Sequence, residues 1–423
     1  MACAQDFPAW PPRAVDGKRA AAVGIRKIAG RHLRLWTDVP ASAAVEELPA
    51  VFDAAVERWN AYFEIPTSET ADWRVQGYLI QDRAKFAALG LLPADQNEFP
   101  NGYAVGNELW LVEQPSDYYR RHLLLHEGTH AYMLSRWGSA GPGWYMEGMA
   151  ELLATHRWHD SHLELGILPT TREEVPMWGR IKLIRAAVSE GQALTVGDVI
   201  GIDNRRALAV DSYAWCWALC KFLDSHPTYG PRFRQLTRLV ARPDFNERFR
   251  RLFREEWTDL NLEWDAYVAE LDYGYDFERL AMQHAAARPL EGAAEFELAV
   301  DRGWQSTSWL LRAGYEYEVT ANGRYTIAHD KQPWPCEPGG VTIRYHAGHP
   351  LGMVLSVLRP VEKSRESTGS KSVDFTHPLE VGLGANFTPE QDAILYLRVN
   401  DSPAELVENK GSVQVRIRPE VRK

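Results

Sequence analysis

The chain has 423 residues, with 47 Lys and Arg against 57 Asp and Glu, for a net charge of −10. That length predicts two or three domains, and 45% hydrophobic with 25% charged residues excludes wholesale disorder. The acidic balance argues against a nucleic-acid partner, no apolar run is long enough to span a membrane, and four Cys are too few for a disulfide framework.

The first residues, Met1-Ala-Cys3-Ala-Gln, show neither a basic n-region nor an apolar h-region, so no signal peptide is expected in this chain. Cys3 alone is a weak hint of a trimmed lipoprotein signal. An extracytoplasmic location is the favoured one, though Cys usage does not fix the compartment. His32-Leu-Arg-Leu-Trp36 alternates polar and apolar residues and predicts a strand. Ala41 to Phe63 carries apolar residues at helical spacing and predicts one long helix. Trp73 to Ile80 reads as a second strand, and Gly102 to Glu113 as a hairpin turning at Gly106-Asn107. From Pro115 to about Glu270 the pattern is mainly helical. After about Gly292 it becomes short alternating runs between Gly, Pro, Asn and Asp turns, the pattern of a β-sandwich. The expected fold class is therefore α+β. A mixed sheet with a mainly helical domain spans 1–290, and an all-β sandwich spans 291–423.

The chemistry concentrates at residues 122–130, His-Leu-Leu-Leu-His-Glu-Gly-Thr-His. His126 and His130, four apart on a helix, present two imidazoles on one face. Glu127 lies about 100° round from His126, within reach of a water on a shared ion. This is the H-E-x-x-H pattern of zinc hydrolases. Ser116-Asp117 supply a helix start, and Gly141-Pro-Gly a break before Trp144-Tyr-Met-Glu147-Gly-Met-Ala-Glu151. Glu147 completes a His2Glu set with a fourth position left for water. Glu151, one turn on, accepts a hydrogen bond from a ligand imidazole. His122 is read as structural, and Trp144 is expected near the metal.

Together, H-E-x-x-H and the following W-x-x-E-G-x-A-E helix resemble the gluzincin zinc metallopeptidases, the thermolysin- and aminopeptidase-like superfamily. The resemblance covers roughly residues 25–275 and is specific at 116–155. It implies a gluzincin-like mixed sheet whose edge strand, here in the 102–113 hairpin, holds extended peptide. It implies Zn2+ on His126, His130 and Glu147, Glu127 as general base, and Glu151 orienting a ligand imidazole. Tyr213, in Ser212-Tyr-Ala-Trp-Cys-Trp, resembles the oxyanion-stabilising Tyr of several members. The expected activity is hydrolysis of a peptide or protein substrate through a metal-activated water. The Gly-x-Met-Glu-Asn stretch of the aminopeptidases is missing, so exopeptidase action is unsupported. Two rival readings stay open: a non-catalytic glycan- or surface-binding protein on a retained peptidase scaffold, and a zinc hydrolase of non-peptide amides. The intact Glu127 speaks against the first.

Near the end, Asn400-Asp401-Ser-Pro403 and Asn409-Lys-Gly411 border a loop dense in oxygen ligands, suited to Ca2+. The stretch resembles calcium-dependent galactose-binding bacterial lectins, which are small β-sandwiches. That resemblance maps a calcium site onto Asp401, Glu405 through its carbonyl, Glu408 and Asn409, and makes a carbohydrate ligand an expectation. Glu408 stands where those lectins have Asn, and their sugar-contacting loop residues are not found here. Thirteen of the 16 Trp precede Gly292, which argues against Trp as sugar platforms of the sandwich.

Overall fold

The computed structural model describes residues 12–93, 99–203, 206, 210–329, 333–361 and 375–419. Cys3 and the polar stretch 364–372 lie outside them. The chain forms two compact units, Met1–Asp224 with Tyr229–Arg254, and Ser225–Thr228 with Glu255–Lys423. The architecture is mixed α+β.

The first unit is built on a five-stranded sheet. Its strands are β1 (Arg26–Ala29), β2 (Leu33–Thr37), β3 (Val75–Ile80), β4 (Gly102–Val105) and β5 (Glu108–Val112), in the order β1-β2-β3-β5-β4. β2, β3 and β5 are parallel, while β1 and β4 are antiparallel to their neighbours. The sheet is thus mixed, and β1 and β4 are its edge strands. Strand β3 is buried along its whole length, as a central strand covered on both faces must be. One face carries Trp36, Tyr78, Ile80 and Trp110, and Phe86 of the short helix Arg83–Ala88 packs on it. Two long helices, α1 (Leu48–Phe63) and α2 (Asp117–Trp137), also lie against the sheet, α1 on β2 and α2 on β4 and β5.

The single helix expected over 41–63 is broken. A short turn at Ala43–Glu46 precedes α1, with Pro49 in the first turn of the latter. Proline has no N–H to donate and fits best where a helix begins. Beyond α2 come α3 (Gly143–Ala154), a small hairpin of His156–His159 with His162–Leu165, α4 (Arg180–Ser189) and α5 (Val210–Ser225). That hairpin lies inside the stretch expected to be helical; its turn at Asp160 and Ser161 has positive φ at both residues.

The second unit contains two sheets with a shared apolar core. One orders Leu379–Glu380, Val354–Pro360, Ala393–Val399, Gln305–Leu311 and Arg288–Pro289. The other orders Gly384–Phe387, Tyr317–Asn322, Ser412–Pro419 and Ala294–Ala299. Leu311, Val354, Leu395 and Leu397 of the first meet Leu298, Val319, Val415 and Ile417 of the second, which is the packing of a sandwich. Strand Ala393–Val399 is buried on its other face too. Leu262 of the helix Trp257–Glu270 covers it there, with Trp304, Val357 and Tyr396. This cover helix explains why the compact units divide at Arg254 and Glu255, earlier in the chain than the join expected near 290.

Candidate metal centre

Helix α2 is fixed at its start by charge and capping. Ser116 Oγ accepts the Tyr119 N–H at 3.3 Å. Arg120 grips Glu113, at the end of β5, through Nε at 2.9 Å, and Asp117 through Nη1 at 2.6 Å. The helix is thereby tied to the sheet one turn before its functional face. It ends at Gly138, in the left-handed conformation, and the Gly141-Pro-Gly turn starts α3.

The two helices oppose a row of imidazoles to a row of carboxylates. His122, His126 and His130 follow at one-turn intervals on α2, and Glu147 and Glu151 at the same interval on α3. Equal helical pitch lets the rows interleave. Glu147 Oε2 lies 3.2 Å from His126 Nε2 and 3.4 Å from His130 Nε2. Glu151 Oε1 lies 3.3 Å from His126 Nδ1, and its Oε2 3.4 Å from His122 Nε2. The two ligand imidazoles are 3.1 Å apart, Nε2 to Nε2.

The donor geometry fits a metal. Glu151 Oε1 faces His126 Nδ1, so once Nε2 is deprotonated its lone pair points toward Glu147 and His130. Glu147 Oε2 is buried and has no hydrogen-bond partner. Three electron-rich atoms thus converge with edges of 3.1, 3.2 and 3.4 Å. Tetrahedral coordination with bonds of about 2.0–2.2 Å places ligand atoms about 3.3–3.6 Å apart. The triad therefore matches a small tetrahedral cation to within a few tenths of an ångström. Among the described residues, two groups of His and Glu are close enough to hold an ion: this one, and His122 with His126 and Glu151. In the second, Arg180 already occupies both oxygens of Glu151, at 2.9 and 2.8 Å, and its fixed positive charge opposes a cation.

The electrostatics follow from burial against charge. Burial works against a charged His126, but Glu147 and Glu151 outweigh it and hold its pKa well above the usual imidazole value. Burial likewise resists ionisation of Glu147, yet His130 and His126 bring it down to about 2. Glu151 is also held far down, Arg180 and His122 overcoming its desolvation. Glu127 behaves differently. Burial raises it, and the neighbouring imidazoles only partly offset that. Its carboxylate sits directly on the edge strand: a Cβ built at Gly102 would lie 2.4 Å from Glu127 Oε1.

Tyr213 reaches the same place from α5. Its ring packs edge-on against His126, with centroids 5.8 Å apart. Burial first, then the carboxylates of Glu147 and Glu127, raise its hydroxyl pKa, keeping it a proton donor. His126, His130, Glu147, Glu127, Glu151 and Tyr213 are thus brought together. His122 is a structural neighbour that donates Nδ1–H to the Ala154 carbonyl at 3.0 Å. Trp144 is not at the metal centre. Its ring packs on Tyr145, Phe245 and Phe249, and its indole N–H donates to Asn246 at 2.9 Å. About 60° round the helix from Glu147, it is directed into this aromatic cluster. Sequence reading missed Arg180, which is 29 residues from Glu151 and belongs to no motif.

The C-terminal loop is arranged differently. Asp401 and Asn409 are buried and meet, the Asn409 amide donating to Asp401 Oδ2 at 2.8 Å. The Ser402 N–H takes Asp401 Oδ1 at 2.7 Å, and the Asp401 carbonyl accepts from Arg398 at 3.2 Å. Glu405 is turned to Arg344, 3.0 Å away. Glu408 lies in a short 3-10 turn just before Asn409. Among the described residues, the carboxylates of Asp401, Glu405 and Glu408 form no three-ligand group, and the Glu405 carbonyl of the expected set accepts the Glu408 N–H at 3.0 Å.

No protein-family model matches the chain, and no curated protein does. Among solved structures it is similar to the N-terminal domain of EclA, a PllA-like lectin, at 14% identity and a TM-score of 0.23, over 31% of this chain and all of that one. It is also similar to PliG from Aeromonas hydrophila, a periplasmic inhibitor of g-type lysozyme, at 7% identity and a TM-score of 0.19, over 33% of this chain and all of that one. Both likenesses are weak. Among the described residues, no helix is long and apolar enough to cross a membrane.

Proposed function

We propose that the first unit is a zinc-dependent metallopeptidase of gluzincin type. The observation that carries this reading is the convergence of His126 Nε2, His130 Nε2 and Glu147 Oε2 at tetrahedral edge lengths, with the Glu127 carboxylate buried beside them. Glu127, Glu147 and Glu151 are three buried carboxylates, with Arg180 on Glu151. A divalent ion would take the place of the proton that Glu147 and Glu151 favour on His126 in the metal-free protein.

When bound, zinc supplies Lewis acidity to a water and to a carbonyl oxygen. The protein's own groups do the rest. Glu127 accepts the proton of the attacking water and returns it to the departing amine. The Tyr213 hydroxyl donates to the carbonyl oxygen as negative charge develops there. Glu151 holds His126 in the tautomer whose Nε2 faces the ion. Among the described residues β4 has one strand neighbour, β5, and Gly102 on it lies against Glu127. An extended peptide adding to that edge would carry its carbonyl past Glu127.

The test is zinc content together with peptide-library cleavage, for wild type and Glu127→Gln. The expected result is about one zinc in each protein and cleavage by the wild type alone. An active Glu127→Gln protein rejects the base assignment. Zinc without peptide products favours a non-peptide amide substrate.

A further inference from the structure

We infer that Arg180 is a positioning residue of this centre: it sets the orientation of His126 through Glu151 and supports the Tyr213 ring with the same guanidinium. The inference rests on the metal-centre reading above.

Arg180 opens helix α4 and is buried. Its guanidinium forms a two-point fork on Glu151, Nε to Oε2 at 2.9 Å and Nη2 to Oε1 at 2.8 Å. Nη1 donates back to the Trp178 carbonyl at 3.2 Å. The fork is itself held by its own backbone.

The consequence lies in how each Glu151 oxygen is shared. Oε1 serves Arg180 and faces His126 Nδ1 at 3.3 Å, while Oε2 serves Arg180, with His122 Nε2 3.4 Å away and without a hydrogen-bond partner. A terminal carboxylate torsion is broad by itself. The planar fork removes that freedom, so the oxygen facing His126 Nδ1 stays there. At 3.3 Å that contact is long for a charge-assisted bond, so it needs a carboxylate held in place by something else. The His126 ring direction then follows, and with it the direction of Nε2 toward Glu147 and His130. Lysine cannot reproduce this, because an ammonium is a point charge without a fork.

Arg180 also reaches Tyr213. Its Cζ lies 5.8 Å from the Tyr213 ring centroid, and that ring also packs edge-on against His126. Two residues earlier, Trp178 stands edge-on to Trp217 at 4.7 Å, one turn beyond Tyr213 on α5. The 178–180 segment therefore braces the helix of the hydroxyl donor and the partner of the metal ligand together.

The test uses the full chain as wild type, Arg180→Lys, Arg180→Gln and the neutral pair Glu151→Gln/Arg180→Gln. Zinc affinity is read by competition with a chromogenic chelator. The visible spectrum of the cobalt-substituted site reports ligand geometry, and melting of the metal-free protein reports folding. Loss of an outer partner typically weakens metal binding about 10–100-fold. That loss is expected for Arg180→Gln with a changed cobalt spectrum, with Arg180→Lys in between and partial recovery of Arg180→Gln by added guanidinium. A purely structural arginine would lower melting and leave affinity and spectrum alone. A folded Arg180→Gln protein with wild-type affinity and spectrum overturns the inference. If that variant does not fold, the neutral pair decides, since it leaves no unpaired buried charge; wild-type affinity there overturns it equally. A wild type that takes no zinc rejects the metal centre itself, a different result from either.

Discussion

Replacing Gly102 by Ala puts one methyl group where the edge strand and the Glu127 carboxylate meet. The added Cβ would lie 2.4 Å from Glu127 Oε1, 2.9 Å from Glu127 Cδ and 2.8 Å from Leu123 Cδ1. Gly102 does not have the left-handed backbone that favours glycine, so the perturbation is the methyl group itself. An ordinary carbon–oxygen contact is about 3.3–3.6 Å, so the carboxylate must retreat by about 1 Å. A misplacement of about 1 Å at a reacting group costs on the order of 10²-fold in rate. Overpacking a closed site costs about 1–3 kcal/mol of stability, which leaves a folded protein. Glu127 is not a metal ligand in this arrangement, so zinc stoichiometry should stay near one. The assay is kcat/KM on the best peptide from a library, beside zinc content and a melting curve. A folded, zinc-loaded Gly102→Ala protein within twofold of wild-type kcat/KM would refute the reasoning. Either Glu127 would not be the base, or its position against β4 would not matter to the chemistry.

The remaining predictions concern metal and pH. Chelation should lower the melting temperature, since an ion at 100 times its Kd stabilises the fold by about 2.7 kcal/mol; melting indifferent to both chelator and zinc would remove the metal reading. Glu147→Gln should lose zinc affinity by more than the 10–100-fold expected of an outer partner, checked by the same chelator competition. In the second unit, burial resists the charge on Glu263, but His226 and His284 bring its pKa from 4.5 down to about 2. A depressed carboxyl stabilises the fold fully above pH 4.5 and loses that contribution as the pH falls toward 2, about 3 kcal/mol in all. Glu263→Gln should therefore flatten the acid side of the stability profile, and urea midpoints from pH 6 to 3 that parallel the wild type would contradict it.

How legible this was in the sequence depended on the range of each interaction. Helix α2 and the His126, Glu127, His130 set follow from i, i+4 spacing and a Ser cap, both local signals. Strands β3, β4 and β5 announced themselves by β-branched and aromatic residues between turns. The hairpin at His156–Leu165 did not, because its turn, Asp160-Ser161, lacks the glycine that normally marks two consecutive positive φ angles. The split near Arg254 was hidden for another reason. The helix Trp257–Glu270 looks like a continuation of the helical domain, and only its burial on the sandwich sheet assigns it to the second unit. Trp144 misled through proximity in sequence: three residues before a ligand is only about 60° round the helix, yet its ring extends to Phe245 and Phe249 instead. Arg180 was invisible because a fork between residues 180 and 151 depends on tertiary packing, and a lone Arg at a helix start carries no pattern.

The intervening positions of the two motifs are no freer than the ligands. Gly128, two residues from each imidazole, is about 200° round the helix from His126. A Cβ there would lie 2.7 Å from a Trp59 ring carbon and 2.8 Å from Phe52 Cε2. It marks where α2 presses onto α1 while its opposite face carries the imidazoles. Gly148, next to Glu147, plays the same part on α3: a Cβ would lie 2.6 Å from the Cys216 carbonyl oxygen and 2.4 Å from Cys220 Sγ. A helical glycine costs about 1 kcal/mol against alanine, so each is a local weakness. The return is close approach. Cys216 is one turn beyond Tyr213 on α5, and its backbone carbonyl cannot swing aside as a side chain could. The contact at Gly148 therefore sets the spacing between the helix that holds Glu147 and the helix that holds Tyr213. A site that must keep its groups within about 0.5 Å needs such contacts between rigid elements. Here they come from residues with no chemistry of their own.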